Sequence, residues 1–382
     1  MRIGLDKIGF YAPQYYIEMS ELAQWRDTDP DKYKYGLGQD QMAIAPNTQD
    51  TLTMAVNAAH SILSEEDKQA IDLVLFATES GLDQSKALSI YALRLLGIQP
   101  RTRCVELKEA CYAATIAIMM AKDHILAHPD KKVLVLSSDI SKYGLYSSGE
   151  PTQGAGAVAL LVSKDPRIAI IEDETAYYSD DVMDFWRPNY SEVAFVQGKF
   201  SNEQYSRFFH QTFDDYRAMT GRGFDDFQAL CFHIPYTKLG LKALKSVVDE
   251  DSHFLDIFQK SITFNRRVGN IYTGSVFLSL LSLLDSGHLK GNDRIGLFSY
   301  GSGAVGEFFS LLTVEGYENN IPHDIEENLD KRIKLTREEY ETMYPSELPT
   351  DGSRYIIDDS NDQSFCVLEG IDSHIRLYKT KG

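Results

Sequence analysis

Hydrophobic and polar residues alternate along the first half of the chain with two different periods. Stretches with the 3.6-residue period of an amphipathic helix cover residues 49 to 64, 85 to 96 and 110 to 127. Short apolar stretches typical of buried strands occupy 71 to 78, 103 to 107, 133 to 138, 155 to 163 and 167 to 172. Helices that alternate with buried strands predict an α/β fold in which helices cover a parallel or mixed sheet.

The second half of the chain repeats this order of elements. Glu79 and His233 each follow a strand-like stretch, and an aspartate lies seven residues before each of them. Asn270 precedes an apolar helix-like stretch, just as Cys111 opens the earlier one. The repetition predicts two related halves that meet at a seam, with these four side chains converging there. We place the halves at residues 1–165 and 166–382, with insertions near 172–225 and 316–365.

Length and charge narrow the class of protein. The chain has 382 residues, and single hydrophobic cores stop growing at about 250 to 300 residues, which favours two halves or domains. No apolar stretch approaches the roughly 20 residues that cross a bilayer, so we expect no membrane association and a cytoplasmic protein. The net charge of −18 argues against nucleic acid as a partner.

The cysteines do not form a metal-binding pattern. Six residues separate Cys104 from Cys111, whereas zinc sites space their paired cysteines by two to four, and Cys231 and Cys366 stand alone. A disulfide scaffold is not expected in a chain of this length. The sequence therefore predicts neither a metal site nor a disulfide framework.

Three ionisable side chains suggest covalent catalysis. Cys111 lies at a predicted helix start, where the helix dipole favours a thiolate, although most free cysteines are simply small buried hydrophobic residues. Glu79 and His233 follow predicted strands, where α/β proteins gather their chemistry. A thiol, a carboxylate and an imidazole together suggest a nucleophile assisted by an acid and a base.

Nine motifs along the chain carry a family resemblance. They are YKYGLGQDQMA (33 to 43), ATES (77 to 80), KEACYAAT (108 to 115), SSDISKYGL (137 to 145), GEPTQGAGAVA (149 to 159), DFWRP (184 to 188), FHIPYTKLGLKAL (232 to 244), RRVGNIYTGS (266 to 275) and LFSYGSGAVGEFF (297 to 309). Over nearly its whole length the chain resembles the bacterial-type 3-hydroxy-3-methylglutaryl-CoA (HMG-CoA) synthases of the thiolase-like superfamily.

The resemblance implies a fold and a reaction. The fold would be thiolase-like, with two pseudo-duplicated halves forming a layered α-β-α-β-α core. The reaction would condense acetyl-CoA with acetoacetyl-CoA and water, giving HMG-CoA and CoA, in the mevalonate pathway of isoprenoid biosynthesis. Cys111 would carry the acetyl group, His233 and Asn270 would hydrogen-bond the acetoacetyl oxygen, and Glu79 would be the acid and base. This chemistry requires no metal or organic cofactor.

The resemblance also implies substrate-binding residues. Lys238 and Lys242 correspond to lysines that bind CoA phosphates, and we extend this face to Lys245 from its helical spacing. Ser302 lies in a glycine-flanked turn that would approach an oxyanion. The other implied contacts with substrate are Asp29, Pro30, Tyr143, Thr152 and Ser201. Related folds dimerise through their central sheets, so we expect a homodimer.

Three other interpretations stay open at this point. A related polyketide-pathway enzyme performs the same step on an acetoacetyl group bound to an acyl carrier protein. A ketoacyl synthase or a thiolase would form a linear product, but Glu79 disfavours it, because enzymes that decarboxylate malonyl groups need no such base. A non-catalytic scaffold that retains a relic site is the interpretation from a different class.

Overall fold

The computed structural model describes residues 1–191, 193–344 and 348–381. Its strands are β1 (Ile3–Tyr11), β2 (Tyr15–Glu18), β3 (Gln41–Ile44), β4 (Ile71–Ala77), β5 (Arg103–Leu107), β6 (Lys132–Ser141), β7 (Gly154–Lys164), β8 (Ala169–Ser179), β9 (Phe185–Trp186), β10 (Phe195–Val196), β11 (Ala229–Phe232), β12 (Arg294–Gly301), β13 (Val305–Thr313), β14 (Ile333–Lys334), β15 (Tyr355–Ile356), β16 (Cys366–Asp372) and β17 (Ile375–Thr380).

The α-helices are α1 (Met19–Trp25), α2 (Thr51–His60), α3 (Glu65–Ala70), α4 (Leu88–Leu96), α5 (Ala113–Ala127), α6 (Gly198–Thr220), α7 (Thr237–Lys245), α8 (His253–Ser261), α9 (Thr263–Val268), α10 (Ser275–Asp285), α11 (Ile325–Asp330) and α12 (Arg337–Met343). A π-helical segment spans Lys32–Leu37. Short 3₁₀ turns occupy Glu150–Thr152, Phe224–Asp226, Tyr272–Gly274 and Tyr317–Asn320.

The large sheet contains the same strand arrangement twice. Its order is β11-β12-β13-β8-β1-β7-β6-β4-β5. In the N-terminal part, β4 and β6 are parallel, whereas β6, β7 and β1 are antiparallel neighbours. In the C-terminal part, β11 and β12 are parallel, and β12, β13 and β8 are antiparallel neighbours. The predicted internal duplication is therefore confirmed, with β8, β11, β12 and β13 matching β1, β4, β6 and β7.

The two half-sheets join through a short contact between their first strands. β1 and β8 pair antiparallel over two positions, Gly4 with Ile170 and Leu5 with Ala169. A Cβ atom on Gly4 would lie 2.0 Å from the carbonyl oxygen of Ala169. Only glycine allows so close an approach of the two backbones.

Helices α5 and α10 occupy the space between the half-sheets. Ala117 and Ala121 of α5 share one hydrophobic core with Leu280 and Leu284 of α10. The opposite faces of the half-sheets bury α2 and α4 on one side and α6 on the other. This arrangement is the layered, thiolase-like core that the sequence predicts. The expectation that no apolar stretch approaches membrane-spanning length is wrong for residues 110–127, which are long and apolar enough to cross a membrane. Most of this stretch forms α5, one face of which is buried in the core.

The observed elements differ from the predicted ones mainly in their bounds and in the first insertion. The predicted helix at 49 to 64 is shorter, as α2, and the strand predicted at 167 to 172 extends further, as β8. Helix α6 was missed, although aromatic residues at helical spacing, including Tyr205, Phe208 and Phe213, mark its buried face. The described chain ends in an antiparallel strand pair, β16 and β17.

Replacing Gly4 by alanine should destabilise the junction of the two halves. The new Cβ would overlap a backbone oxygen, and such overpacking costs about 1–3 kcal/mol of unfolding free energy. Denaturant unfolding of Gly4→Ala measures this loss. Gly198→Ala is the matched control, because a Cβ there meets nothing within 4 Å. Equal stabilities of the two variants would contradict the role assigned to Gly4.

Candidate active site

Glu79 and Cys111 lie in direct contact at the end of the N-terminal half-sheet. Glu79 follows β4 by two residues, and Cys111 precedes α5 by two residues. The Cys111 thiol donates a hydrogen bond to Glu79 Oε1 at 3.1 Å. Both residues are buried, with 9% of Glu79 and 8% of Cys111 exposed. The structure thus brings together the predicted nucleophile and the predicted base.

Burial shifts the proton affinity of both groups upward. Burial is the main cause that raises the pKa of Glu79 to about 8, and the negative charge of Asp139 adds to it, whereas the hydrogen bond from Cys111 and the positive charge of Arg187 act against it. Burial also raises the pKa of the Cys111 thiol well above its ordinary value, with further contributions from the charge and hydrogen bond of Glu79. The pair therefore retains a proton near neutral pH.

The prediction that a helix dipole stabilises Cys111 as a thiolate is wrong for this state of the protein. Regular α-helix begins at Ala113 rather than at Cys111, and the charged group in contact with the thiol is the carboxyl of Glu79. A neighbouring negative charge and the loss of water outweigh a helix dipole, whose effect falls off within the first turn. Burial and the contact with Glu79 therefore disfavour ionisation of Cys111 in this state of the protein.

Asp139 holds the end of β4 against the C-terminal half. This fully buried carboxylate accepts hydrogen bonds from Thr78 Oγ1 at 2.8 Å, Glu79 N at 2.9 Å and Ser80 N at 3.0 Å. It also accepts from Thr273 N at 3.1 Å. Its partners are about 60 and 134 residues away in sequence, so no local pattern signals this role and sequence analysis missed it.

His233 is a neutral imidazole in the C-terminal half. It directly follows β11, where its backbone N–H donates to Phe298 O at 2.7 Å and its carbonyl accepts from Tyr205 OH at 2.6 Å. Burial lowers the pKa of His233 to about 3. Among the described residues, none forms a hydrogen bond with its Nδ1 atom. His233 can therefore offer a hydrogen bond to a substrate, but it does not carry a positive charge at neutral pH.

Asn270 occupies the position equivalent to Cys111 in the second half. Its side-chain Oδ1 accepts from Tyr272 N at 2.9 Å and from Ser275 Oγ at 3.2 Å. Its backbone N–H donates to Gln153 O at 3.3 Å. The carbonyl oxygen thus caps the turn before α10, and this orientation leaves the amide nitrogen as the group that can donate to a substrate.

Three aromatic rings form a wall beside the pair. Tyr143 meets Tyr272 edge-on at 6.3 Å between ring centres, and it meets Phe185 edge-on at 6.4 Å. The rings of Phe185 and Tyr272 lie 6.1 Å apart. Tyr143 and Tyr272 both interact electrostatically with Glu79, which places this wall at the candidate site. The three rings therefore border the Glu79–Cys111 pair on one side.

A second buried carboxylate, Asp184, organises the turn that contains Ser302. Asp184 accepts from Ser201 Oγ at 3.0 Å, Tyr300 OH at 2.9 Å and Gly303 N at 2.9 Å. Ser201 and the turn between β12 and β13 are thereby joined at one point. Asp184 lies in the DFWRP motif, but its partners are distant in sequence and its role was not predicted.

Gly301 allows this turn to reach the residues around Cys111. A Cβ atom on Gly301 would lie 2.5 Å from the carbonyl oxygen of Glu109 and 2.6 Å from Cβ of Tyr112. Ser302 follows directly and is half-buried. The glycine-flanked turn therefore lies against Glu109 and Tyr112, on either side of Cys111.

The remaining predicted residues lie further out. Lys238, Lys242 and Lys245 belong to α7, with Lys242 and Lys245 exposed, and α7 packs against the π-helical segment that follows Asp29 and Pro30. Thr237 Oγ1 fixes this contact by donating to Gly38 O at 2.6 Å. No described contact joins these lysines, Asp29 or Pro30 to the Glu79–Cys111 pair. Thr152 lies in the 3₁₀ turn before β7, where its hydroxyl donates to Gly149 O at 2.8 Å.

The layered duplicated fold and the seam between its halves define an acyl-CoA-condensing enzyme of the thiolase-like class. Two family models cover the chain: hydroxymethylglutaryl-coenzyme A synthase N terminal matches residues 1–167, and the corresponding C-terminal model matches residues 169–256 and 250–376. The chain belongs to the hydroxymethylglutaryl-CoA synthase family.

Individual relatives agree with this membership. The chain is 47% identical to hydroxymethylglutaryl-CoA synthase of Enterococcus faecalis, across 99% of this chain and 100% of the relative. It is 34% identical to the polyketide biosynthesis 3-hydroxy-3-methylglutaryl-ACP synthase of Bacillus subtilis, across 89% and 87%. A crystal structure of HMG-CoA synthase complexed with CoA matches with a TM-score of 0.97 and 44% identity, covering 100% of both chains.

Replacing Glu79 by glutamine should lower the pKa of the Cys111 thiol. The substitution removes the negative charge that opposes ionisation of the sulfur. The rate of iodoacetamide alkylation at Cys111 against pH measures the effect, with peptide mass spectrometry separating Cys111 from the other three cysteines. Glu106→Gln is the control, since Glu106 is a half-buried carboxyl that does not contact the thiol. A midpoint that stays in place or rises in Glu79→Gln would refute the coupling.

Proposed function

We propose that this protein condenses acetyl-CoA with acetoacetyl-CoA and water to form HMG-CoA and free CoA. The observation that carries the proposal is the hydrogen-bonded contact between a buried thiol and a buried carboxyl at the seam of the two halves. A thiol can hold an acetyl group as a thioester. A carboxyl whose pKa lies near 8 can remove a proton and return it at physiological pH.

The first step transfers acetyl to the enzyme. The Cys111 thiol loses its proton as its sulfur attacks the carbonyl carbon of acetyl-CoA. The bond between that carbon and the CoA sulfur breaks, and the departing CoA thiolate takes up that proton. The result is acetyl-Cys111 and free CoA.

The second step forms the carbon–carbon bond. Glu79 removes a proton from the methyl group of acetyl-Cys111, and the carbanion attacks the ketone carbon of acetoacetyl-CoA. The ketone oxygen accepts hydrogen bonds from His233 and from the Asn270 amide, which stabilise the developing alkoxide. The alkoxide then takes the proton back from Glu79. One buried carboxyl thus acts first as a base and then as an acid.

Hydrolysis completes the cycle. Water attacks the thioester carbon on Cys111, the carbon–sulfur bond breaks, and the sulfur regains a proton. HMG-CoA leaves with the CoA that entered on acetoacetyl-CoA. Every step uses protein side chains, the two thioesters and water, so we propose that the enzyme needs no metal or organic cofactor.

CoA requires a local positive patch on this acidic protein. Lys238 and Lys242 lie on α7, which begins a few residues after His233 and packs beside the π-helical segment. Their ammonium groups would hold the phosphates of CoA, and Asp29 and Pro30 border the same region. Tyr143, Thr152, Ser201 and Ser302 would contact the acyl part of the substrates.

Free CoA thioesters are favoured over carrier-bound substrates. Identity to the Enterococcus faecalis CoA enzyme is 47%, against 34% to the Bacillus subtilis carrier-protein enzyme. Glu79 also argues against a ketoacyl synthase or a thiolase, and the contact between Cys111 and Glu79 argues against a scaffold. The expected setting is the mevalonate pathway in the cytoplasm. We propose a homodimer formed through β5, which lies at the edge of the sheet with Val105 exposed.

Separate half-reactions test the roles of Cys111 and Glu79. Glu79→Ala should still accept acetyl from acetyl-CoA, because it loses the charge that raises the pKa of the thiol, but its condensation rate should fall at least about 100-fold. Cys111→Ala should do neither. Intact-protein mass after acetyl-CoA, and HMG-CoA formed after acetoacetyl-CoA is added, measure the two steps.

The wild-type protein is the reference in this experiment. It should gain one acetyl group and lose it when acetoacetyl-CoA is added, with the formation of HMG-CoA. Substantial condensation by Glu79→Ala would break the assignment of the base. Absence of any acetyl adduct on the wild type would instead indicate a carrier-bound acyl donor.

Lys242→Ala should weaken the binding of both CoA substrates with little change in kcat. An exposed charge pair contributes about 0.2–1 kcal/mol, so KM should rise about 1.4- to fivefold, and the difference should shrink at high salt. Steady-state kinetics at two salt concentrations measure it. Lys199→Ala removes an exposed lysine on α6 and is the control. Equal KM values for the two variants would contradict the assignment of Lys242 to the phosphate-binding site.

A further inference from the structure

A segment of the C-terminal half crosses the N-terminal half beside the candidate site. In this segment, residues 333–344, β14 pairs in parallel with β2, and Leu335 N donates to Tyr16 O at 2.9 Å. Tyr340 of α12 is fully buried, and its ring stacks on Trp25 at 6.2 Å. Its acidic, turn-rich sequence predicts no role. We call this segment the C-terminal strap.

The first attachment of the strap is a buried ion-pair network. Glu150, which is 1% exposed, accepts two hydrogen bonds from Arg26 at 2.8 and 2.7 Å and one from Tyr340 OH at 3.1 Å. Arg26 also donates to Glu341 of the strap at 2.7 Å. Tyr146 N donates to Glu150 at 2.9 Å. The strap thereby holds both ends of the stretch from 146 to 150.

The second attachment is Tyr344 at the end of the strap. Gln153 Oε1 accepts from Tyr143 N at 2.7 Å, from Gly144 N at 3.2 Å and from Tyr344 OH at 2.6 Å. The Tyr344 hydroxyl in turn accepts from Gly144 N at 3.0 Å. The backbone carbonyl of Gln153 accepts from Asn270 N at 3.3 Å. Gln153 therefore connects the strap to two predicted site residues.

The loop held in this way, residues 143–153, carries part of the wall around the pair. The Tyr143 ring meets Tyr272 and Phe185 edge-on, and its hydroxyl interacts electrostatically with Glu79 and Cys111. Burial is the largest cause of the raised pKa of both Glu79 and Cys111. The position of this loop therefore bears directly on how much water reaches the pair.

We propose that the C-terminal strap positions the 143–153 loop through Tyr344, Gln153 and Glu150, and thereby keeps water away from the Glu79–Cys111 pair. Tyr344 and Gln153 are positioning residues in this scheme. The inference deepens the proposed function and rests on it for one of its two readouts, the rate of condensation.

The strap acts through position and not through its own charge. The charged and titratable groups that interact with Glu79 or Cys111 come from β6, from the residues around Cys111, from the segment 184–187, and from the tyrosines that line the site. They are Asp139, Glu109, Asp184, Arg187, Tyr143, Tyr272 and Tyr300. None of these residues belongs to the strap, so a change in the strap alters no charge next to the pair.

Tyr344→Phe tests the proposal with a minimal change. It removes the hydroxyl that bridges Gln153 Oε1 and Gly144 N and keeps the ring. The midpoint pH for alkylation of Cys111 should fall as water reaches the pair, and condensation from acetyl-Cys111 should slow about tenfold. Tyr317→Phe is the matched control, because it loses a buried hydroxyl bonded to Leu289 O at 3.2 Å, outside the strap.

Gln153→Met provides the second, independent variant. It removes the same bond to Tyr344 from the other partner, so its effects and those of Tyr344→Phe should be less than additive in the double variant. Melting temperatures of all variants accompany the kinetics. A fall in stability with an unmoved alkylation midpoint, or equal slowing of acetylation and condensation, would reduce the strap to a structural element and overturn the proposal.

The two readouts separate this proposal from the proposed function. Alkylation of Cys111 needs no substrate, so its midpoint reports on the pair even if the wild-type protein forms no HMG-CoA. A wild-type enzyme that forms HMG-CoA, combined with Tyr344→Phe and Gln153→Met variants that keep the wild-type midpoint and condensation rate, would overturn the strap proposal alone.

Discussion

The candidate site depends on the exclusion of water from one contact, the hydrogen bond between Cys111 and Glu79. Burial is the largest cause of the raised pKa of both groups, ahead of any neighbouring charge. In water the same carboxyl would ionise at about pH 4.3 and would hold almost no proton to donate at neutral pH. The surrounding residues, among them the aromatic wall and Asp139, hold the two groups together and leave little of either exposed to solvent.

The duplicated fold explains why such a site can form at the seam. Glu79 and His233 follow equivalent strands, β4 and β11, and Cys111 and Asn270 precede equivalent helices, α5 and α10. Neither half contains a thiol, an imidazole and a carboxyl at these positions. Because α5 and α10 pack in a shared core, the interface between the halves fixes the relative positions of the two helix starts that follow Cys111 and Asn270.

Sequence analysis predicted most elements of the first half and placed Glu79, His233, Cys111 and Asn270 beside strand ends and helix starts, because both follow from local signals. Apolar periodicity marks β4 and α5, and family motifs surround each central residue. Sequence analysis did not predict the roles of Asp139, Asp184 and Gln153, because their partners lie far along the chain and become neighbours only on folding. The ionisation of Cys111 was predicted wrongly for the same reason. The helix dipole is a local effect, whereas the carboxyl that opposes it comes from a different strand.

The opposite shifts of Glu79 and His233 separate their chemical roles. Burial raises the pKa of a carboxyl and lowers that of an imidazole, because in each case it disfavours the charged form. Here the values move to about 8 and about 3. Near neutral pH Glu79 can exist in both protonation states, while His233 remains neutral. Proton transfer therefore falls to the carboxyl, and the imidazole is left to orient and polarise the substrate through a hydrogen bond. Burial alone therefore gives the carboxyl and the imidazole different roles, because it shifts their pKa values in opposite directions.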